Sequence, residues 1–256
     1  MDPESGRFSG IQRLYGTKAL QRLSTAHVCV VGIGGVGSWV VEALARSGVG
    51  EITLVDMDEI CVTNVNRQIH ALDTTVGMSK TRVMAERVHQ IHPQCTVHDE
   101  MTFLTKDNAQ EILQRPFDLV IDAIDSNRHK CVLISQCQIL KRSVLTIGGA
   151  GGRRDPSQLI TADLNRTKND ALLFSVRKRL RQEYAFPRGK QKWGIPCVYS
   201  TEMPVFPTAD GETCDHTRPS SPMRLDCAEG YGSASFVTGS MAFMAVSVAI
   251  EMLLES

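Results

Sequence analysis

Along the first 150 positions, hydrophobic residues alternate between two patterns. One is a short unbroken apolar run, such as His27-Val28-Cys29-Val30-Val31, which suits a strand buried on both faces of a parallel sheet. Similar runs recur at residues 51–55, 118–122 and 144–147, with a weaker one over 95–101. Between them, apolar residues return every three or four positions, which predicts helices over 39–45, 79–91, 107–113 and 130–140. Such alternation of strand and helix predicts an α/β fold: a doubly wound, Rossmann-like, mostly parallel sheet.

Beyond residue 150 the rhythm breaks. Residues 148–156 form a glycine-rich turn, and the proline-bearing stretches 186–194 and 204–222 read as loops. A helix is expected over 170–184 and a long apolar one over 234–254, within an antiparallel, loop-rich C-terminal extension. Residues 230–250 carry no charged side chain, which matches the length of a membrane span. Ser233, Ser235, Thr238, Gly239, Ser240 and Ser247 dilute that segment, and no basic cluster flanks it. A core or dimer-interface helix is therefore expected, with peripheral membrane association through 230–254 as the alternative.

Composition narrows the classes. The 256 residues are 42% hydrophobic and 22% charged, which excludes a disordered or fibrous chain. Residues 1–25 are polar and lack a signal-peptide pattern, so a cytoplasmic location is expected. The eight cysteines are scattered without a C-x-x-C pair, which predicts thiols in a reducing compartment and no zinc site of that spacing.

The first strand runs into Gly-Ile-Gly-Gly-Val-Gly-Ser at 32–38, where Gly32, Gly34, Gly35 and Gly37 let a phosphate approach a helix N-terminus. Asp56 and Asp58 follow the second strand at the spacing of a ribose-binding carboxylate. These features alone fit NAD and ATP equally. Asn64, Arg67, Gln68 and Lys80 then add amides and two cations suited to a polyphosphate, which argues against NAD. Asp125-Ser126-Asn127 ends the fourth strand at the carboxyl edge of the sheet, where Asp125 is suited to hold Mg2+ on the phosphates.

As a set, these residues resemble the adenylating enzymes related to ubiquitin-activating enzyme. The resemblance implies ATP and Mg2+, activation of a carboxylate as its adenylate, and a homodimer in which Arg13 reaches into the partner's site. Asp56 would bind ribose; Asn64, Arg67 and Lys80 the phosphates; Asp125 the metal. The sulfur-carrier members typically have two C-x-x-C pairs that this chain lacks. The whole chain is instead similar to the tRNA threonylcarbamoyladenosine dehydratases, through Arg13-Leu14-Tyr15-Gly16, Cys61-Val62-Thr63-Asn64, Asn66 to Leu72, Gly148 to Gly152, Ser200-Thr201-Glu202 and Asp226-Cys227-Ala228. It implies one unit over 1–256: a nucleotide-binding half (1–150), then a substrate-binding and dimerisation half (151–256). It also implies tRNA as substrate, with a cysteine desulfurase or sulfur-acceptor protein as a further partner. The alternative function is adenylylation of the C-terminal glycine of a ubiquitin-like sulfur carrier.

Charge patterning supports the nucleic-acid reading. Opposite charges balance overall, 28 against 28, but residues 166–193 hold nine basic side chains against two acidic ones. Arg177, Lys178, Arg179, Arg181, Lys190 and Lys192, with Arg153 and Arg154 upstream, are the candidate phosphate contacts. Tyr184, Phe186 and Trp193 are interleaved with them as candidate stacking surfaces. A solvated helix and loop would show the same charge run. Cys227 is a candidate for chemistry, although a buried structural thiol fits equally. His70 reads as a packed histidine or a substrate-positioning one.

Overall fold

In the computed structural model, β1 (His27–Val31) lies inside a seven-stranded sheet with β2 (Glu51–Val55), β3 (Thr96–Glu100), β4 (Leu119–Asp122), β5 (Val144–Ile147), β6 (Leu159–Asp163) and β7 (Pro196–Ser200). The structure describes residues 6–208, 210–214 and 231–255. Strand order is β3-β2-β1-β4-β5-β7-β6; only β6 runs antiparallel to its neighbour, so the sheet is mostly parallel, as the apolar runs predict. A two-stranded hairpin, β8 (Phe206–Pro207) with β9 (Thr213–Cys214), lies apart from it.

Strand alternation builds two cores. Val28 and Val30 point to one face, where they pack with Val40, Leu44, Ile52 and Met84. That face carries α3 (Gly37–Arg46), α4 (Lys80–Ile91) and α8 (Ser235–Glu255). Cys29 and Val31 point to the other, against α5 (Ala109–Leu113), α6 (Asn127–Ile139) and α7 (Ala171–Glu183). Helices α1 (Ser9–Tyr15) and α2 (Thr17–Thr25) precede the sheet. Both lie in a stretch whose overall polarity hides them: α2 turns Ala19, Leu20 and Leu23 to one face but fully buries only Leu23, and α1 packs only Ile11 and Tyr15, partly buried, against the core.

Two further strands depart from the expectation. β6 is an edge strand with a partly polar sequence, and β7 opens on a proline. Neither gives a strong period-two or continuous apolar signal. The long C-terminal helix is explained by packing. At 21 residues and mean hydropathy 1.8 it has the length and composition to cross a membrane, but 56% of that segment is buried. Met241, Ala242, Ala245, Val246, Ala249 and Leu253 contribute to the core, mainly against α3.

A buried ion pair lies within the second core. Lys130 and Asp122 are both 0% exposed, 2.8 Å apart. Lys130 Nζ also donates to Thr146 Oγ1 (3.2 Å), and the Thr146 hydroxyl donates to Asp122 Oδ2 (2.7 Å). Burial pushes the Asp122 carboxyl up, and Lys130 opposes it. The pair joins α6 to β4 and β5 just beneath the loop that carries Asp125. Removing one partner strands a buried charge, so Lys130→Met should lower unfolding free energy by about 3–5 kcal/mol. Urea denaturation measures it, and Lys130→Met with Asp122→Leu should recover most of the loss.

Candidate nucleotide site and basic face

The loop between β1 and α3 depends on two glycines. Gly32 has φ +89°, and a Cβ there would stand 2.9 Å from the Ala123 carbonyl oxygen. A Cβ on Gly37 would stand 1.7 Å from the Gly32 carbonyl oxygen. Any larger residue at either position forces the backbone apart. Gly34 and Gly35 face the side chains of Gln68 and Arg67. Among the described residues no side chain caps the N-terminus of α3, although the Ser38 N–H already donates to the Gly34 carbonyl (3.1 Å).

The loop is fixed at Ile33 from two directions. The Ile33 N–H donates to Asp56 Oδ2 (2.6 Å). The Ile33 carbonyl accepts from His70 Nε2 (2.9 Å), and His70 is 1% exposed. Asp56 Oδ1 also takes the Asp58 N–H (2.8 Å). Burial pushes the Asp56 carboxyl up; Lys80 and the two N–H groups oppose it. Asp56 thus sits at the end of β2, against the loop, as a ribose-binding carboxylate must.

Lys80, the first residue of α4, is almost buried, with Nζ 2.7 Å from Asp58 Oδ2. Arg67 lies over Gly35, and its Nη1 donates to the carbonyl of Thr63 (2.5 Å) and to Asn66 Oδ1 (3.1 Å). The Arg67 carbonyl accepts from Trp39 Nε1 and from the Thr238 hydroxyl, tying this loop to α3 and α8. Asn64 is buried, and its Oδ1 takes the Cys61 N–H (3.0 Å), so part of its hydrogen-bonding capacity shapes the loop. Gln68 is buried, and its Oε1 has no partner among the described residues. Asp125 is exposed beyond β4, Ser126 caps α6 by position without a side-chain bond, and Asn127 opens that helix. Gly32, Asp56, Arg67, Lys80 and Asp125 therefore share the carboxyl edge of β1, β2 and β4. Arg13 is exposed on α1. Cys227 lies outside the described residues.

The basic segment is less free than its composition suggests. Arg153 is only 5% exposed, and its Nη2 donates to the Asn169 carbonyl (2.7 Å). The exposed Arg154 bonds Thr213 Oγ1 (2.9 Å). Arg177, Arg179 and Arg181 hydrogen-bond Thr167, Asn127 and Asn165. Phe186 and Trp193 meet edge to face, and Arg181 covers the Trp193 ring at 5.1 Å. These side chains hold α7 and its loop together, a role that charge counting does not distinguish from phosphate contact. Lys178, Arg188, Lys190 and Lys192 are exposed. The Arg179–Asn127 bond joins this face to the segment carrying Asp125.

The fold and the residues at its carboxyl edge define a nucleotide-binding protein of the adenylating class. The sequence profile of the ThiF family matches residues 9–256, and the chain belongs to that family. It is 50% identical over 247 residues to the tRNA threonylcarbamoyladenosine dehydratase of Escherichia coli K12, covering 96% of this chain and 92% of that protein. It is 49% identical to the corresponding Haemophilus influenzae protein, over 100% of this chain and 96% of the relative. The structure of the E. coli tRNA N6-threonylcarbamoyladenosine dehydratase in complex with ATP superposes with a TM-score of 0.88 at 44% identity, covering 100% of this chain and 96% of that one.

His70 is the loop residue whose weight the sequence did not reveal. Burial holds its pKa down at about 4, against 6.5 for the ordinary imidazole. The unfolded chain binds more protons between those values, so this contribution to stability is complete above about pH 6.5 and is lost as pH falls toward about 4. His70→Gln should flatten the fall in Tm between pH 6.5 and 4.5 relative to the wild type, as calorimetry at stepped pH would show.

Proposed function

We propose that this chain is an ATP-dependent tRNA threonylcarbamoyladenosine dehydratase. Full-length identity of 50% to an enzyme of that name carries the reading, and the glycine loop with Asp56, Arg67, Lys80 and Asp125 supplies its nucleotide chemistry. ATP would lie along the carboxyl edge, with its ribose on Asp56 and its phosphates on the α3 N-terminus, Arg67 and Lys80. Mg2+ would be held by Asp125 and would neutralise phosphate charge. The substrate is the free carboxylate of the threonylcarbamoyl group beside the tRNA anticodon. A carboxylate oxygen attacks the α-phosphorus, and the bond to pyrophosphate breaks. The carbamoyl group then attacks the activated carbonyl and AMP leaves, for a net loss of water. The protein's part is positioning and charge stabilisation.

Lys80→Ala removes a nearly buried cation from the phosphate side, and its loss is worth about 2–4 kcal/mol, or roughly 30- to 1000-fold in rate. Mass spectrometry of nucleosides from modified tRNA incubated with protein and ATP should show the cyclic nucleoside with the wild type and little with the variant. Wild-type protein that leaves tRNA unchanged but exchanges pyrophosphate into ATP only with a Gly-Gly-tailed protein would establish the sulfur-carrier alternative instead.

We place the tRNA on the α7 face and read the active unit as a homodimer. Arg13 is exposed on a helix before the first strand, suited to enter a partner's site. Phe236 and Phe243 are 59% and 51% exposed on α8, an apolar face suited to the same interface. Replacing Lys178, Arg188, Lys190 and Lys192 with Gln avoids the internally bonded arginines. It should lower the salt slope of tRNA binding by about 0.7–0.9 for each phosphate no longer neutralised, and leave ATP affinity unchanged.

A further inference from the structure

The edge of the sheet opposite the nucleotide loop carries a cluster that the adenylation chemistry does not use. His27 and Glu51 open β1 and β2 and are register partners. Thr53 lies two residues after Glu51, on the same face, and pairs with His98 of β3. Parallel register therefore aims His27, Glu51, Thr53 and His98 to one side. The helix that follows β3, α5, is five residues long, and a cavity of about 550 Å³ opens there, lined also by Glu100, Arg115 and Asp118.

We propose that His27, Glu51 and His98 form a binding site for a divalent transition metal of the zinc type. Their ligand atoms all lie within 4.8 Å of one another. His27 Nδ1 stands 3.4 Å and His98 Nε2 2.8 Å from the same Glu51 oxygen, Oε1. Tetrahedral ligands about 2.0–2.1 Å from zinc stand roughly 3.4 Å apart, so small side-chain rotations complete the set. Two imidazoles and one carboxylate are a ligand set of catalytic zinc sites, with a fourth position open to water.

Two features favour a metal over a plain hydrogen-bonded cluster. His27 Nε2 is 2.9 Å from the buried Thr53 hydroxyl, which fixes the ring and presents Nδ1 to the cluster. The neighbouring charges balance: Arg115 pairs with Glu100 and Arg22 with Asp118, both at 2.7 Å. Glu51 is left, among the described residues, as the carboxylate with no lysine or arginine partner and two imidazoles against it, which suits a cation. The missing C-x-x-C pairs exclude a thiolate site of that spacing, not a histidine one.

The experiment is equilibrium dialysis of the full-length chain against Zn2+ at pH 7.5, after chelator treatment and alkylation of accessible thiols. Wild-type protein should bind one equivalent. His98→Ala and Glu51→Gln should each weaken binding at least about tenfold, as should Thr53→Val through loss of ring orientation. Binding should fall away by pH 5.5 as the imidazoles protonate. ATP affinity, measured separately, should be unchanged in every variant because the two sites lie at opposite sheet edges. Absence of saturable one-to-one binding, or wild-type affinity in both His98→Ala and Glu51→Gln, would overturn the proposal.

Discussion

The clamp on Ile33 is the interaction on which the site depends. One residue of the glycine loop donates its N–H to Asp56 at the end of β2, and its carbonyl accepts from His70. Neither bond forms unless β1 and α3 approach through Gly32 and Gly37, where no Cβ fits. Two separated stretches of sequence are thereby locked to one short turn. The result is a preorganised edge, with the Asp56 carboxylate and the cations of Arg67 and Lys80 held in place around the loop.

The rest of the architecture supports that edge from behind. The Asp122–Lys130–Thr146 group ties α6 to β4 and β5. Thr238 and Trp39 hold the Arg67 carbonyl, so the C-terminal helix braces the segment that carries Arg67. Arg179 on α7 bonds Asn127, next to the Asp125 segment. Nucleotide edge and basic face are thus mechanically joined, a sensible arrangement where a large substrate must present one carboxylate to a bound nucleotide.

Charge serves two purposes along residues 166–193. The arginines whose guanidinium groups reach Thr167, Asn127 and Asn165 brace the fold, while Lys178, Lys190 and Lys192 stand in solvent. The difference is chemical. A planar guanidinium bonds several acceptors while its stem packs, whereas an ammonium stays hydrated on a flexible chain. Arg153 is the extreme case: it is buried, its Nε and Nη1 have no partner among the described residues, and burial lowers its pKa.

The α/β class, five of the seven sheet strands, the glycine loop and the gathering of Asp56, Arg67, Lys80 and Asp125 at one edge of the sheet were legible in the sequence. Each rests on local pattern: unbroken apolar runs, helical periodicity, or glycines at a strand end. Strands β6 and β7 were not legible, because an edge position and a leading proline erase the periodic signal. Helices α1 and α2 were missed because their few core-facing residues, Ile11, Tyr15 and Leu23, stand in an otherwise polar stretch. The pairing of Lys80 with Asp58, the clamp by His70, the burial of Arg153 and the meeting of His27, Glu51 and His98 were decided only by tertiary structure. A sequence states which side chains exist, but which of them share a face or lose their water depends on strand register and crossover connections that join residues far apart in the chain.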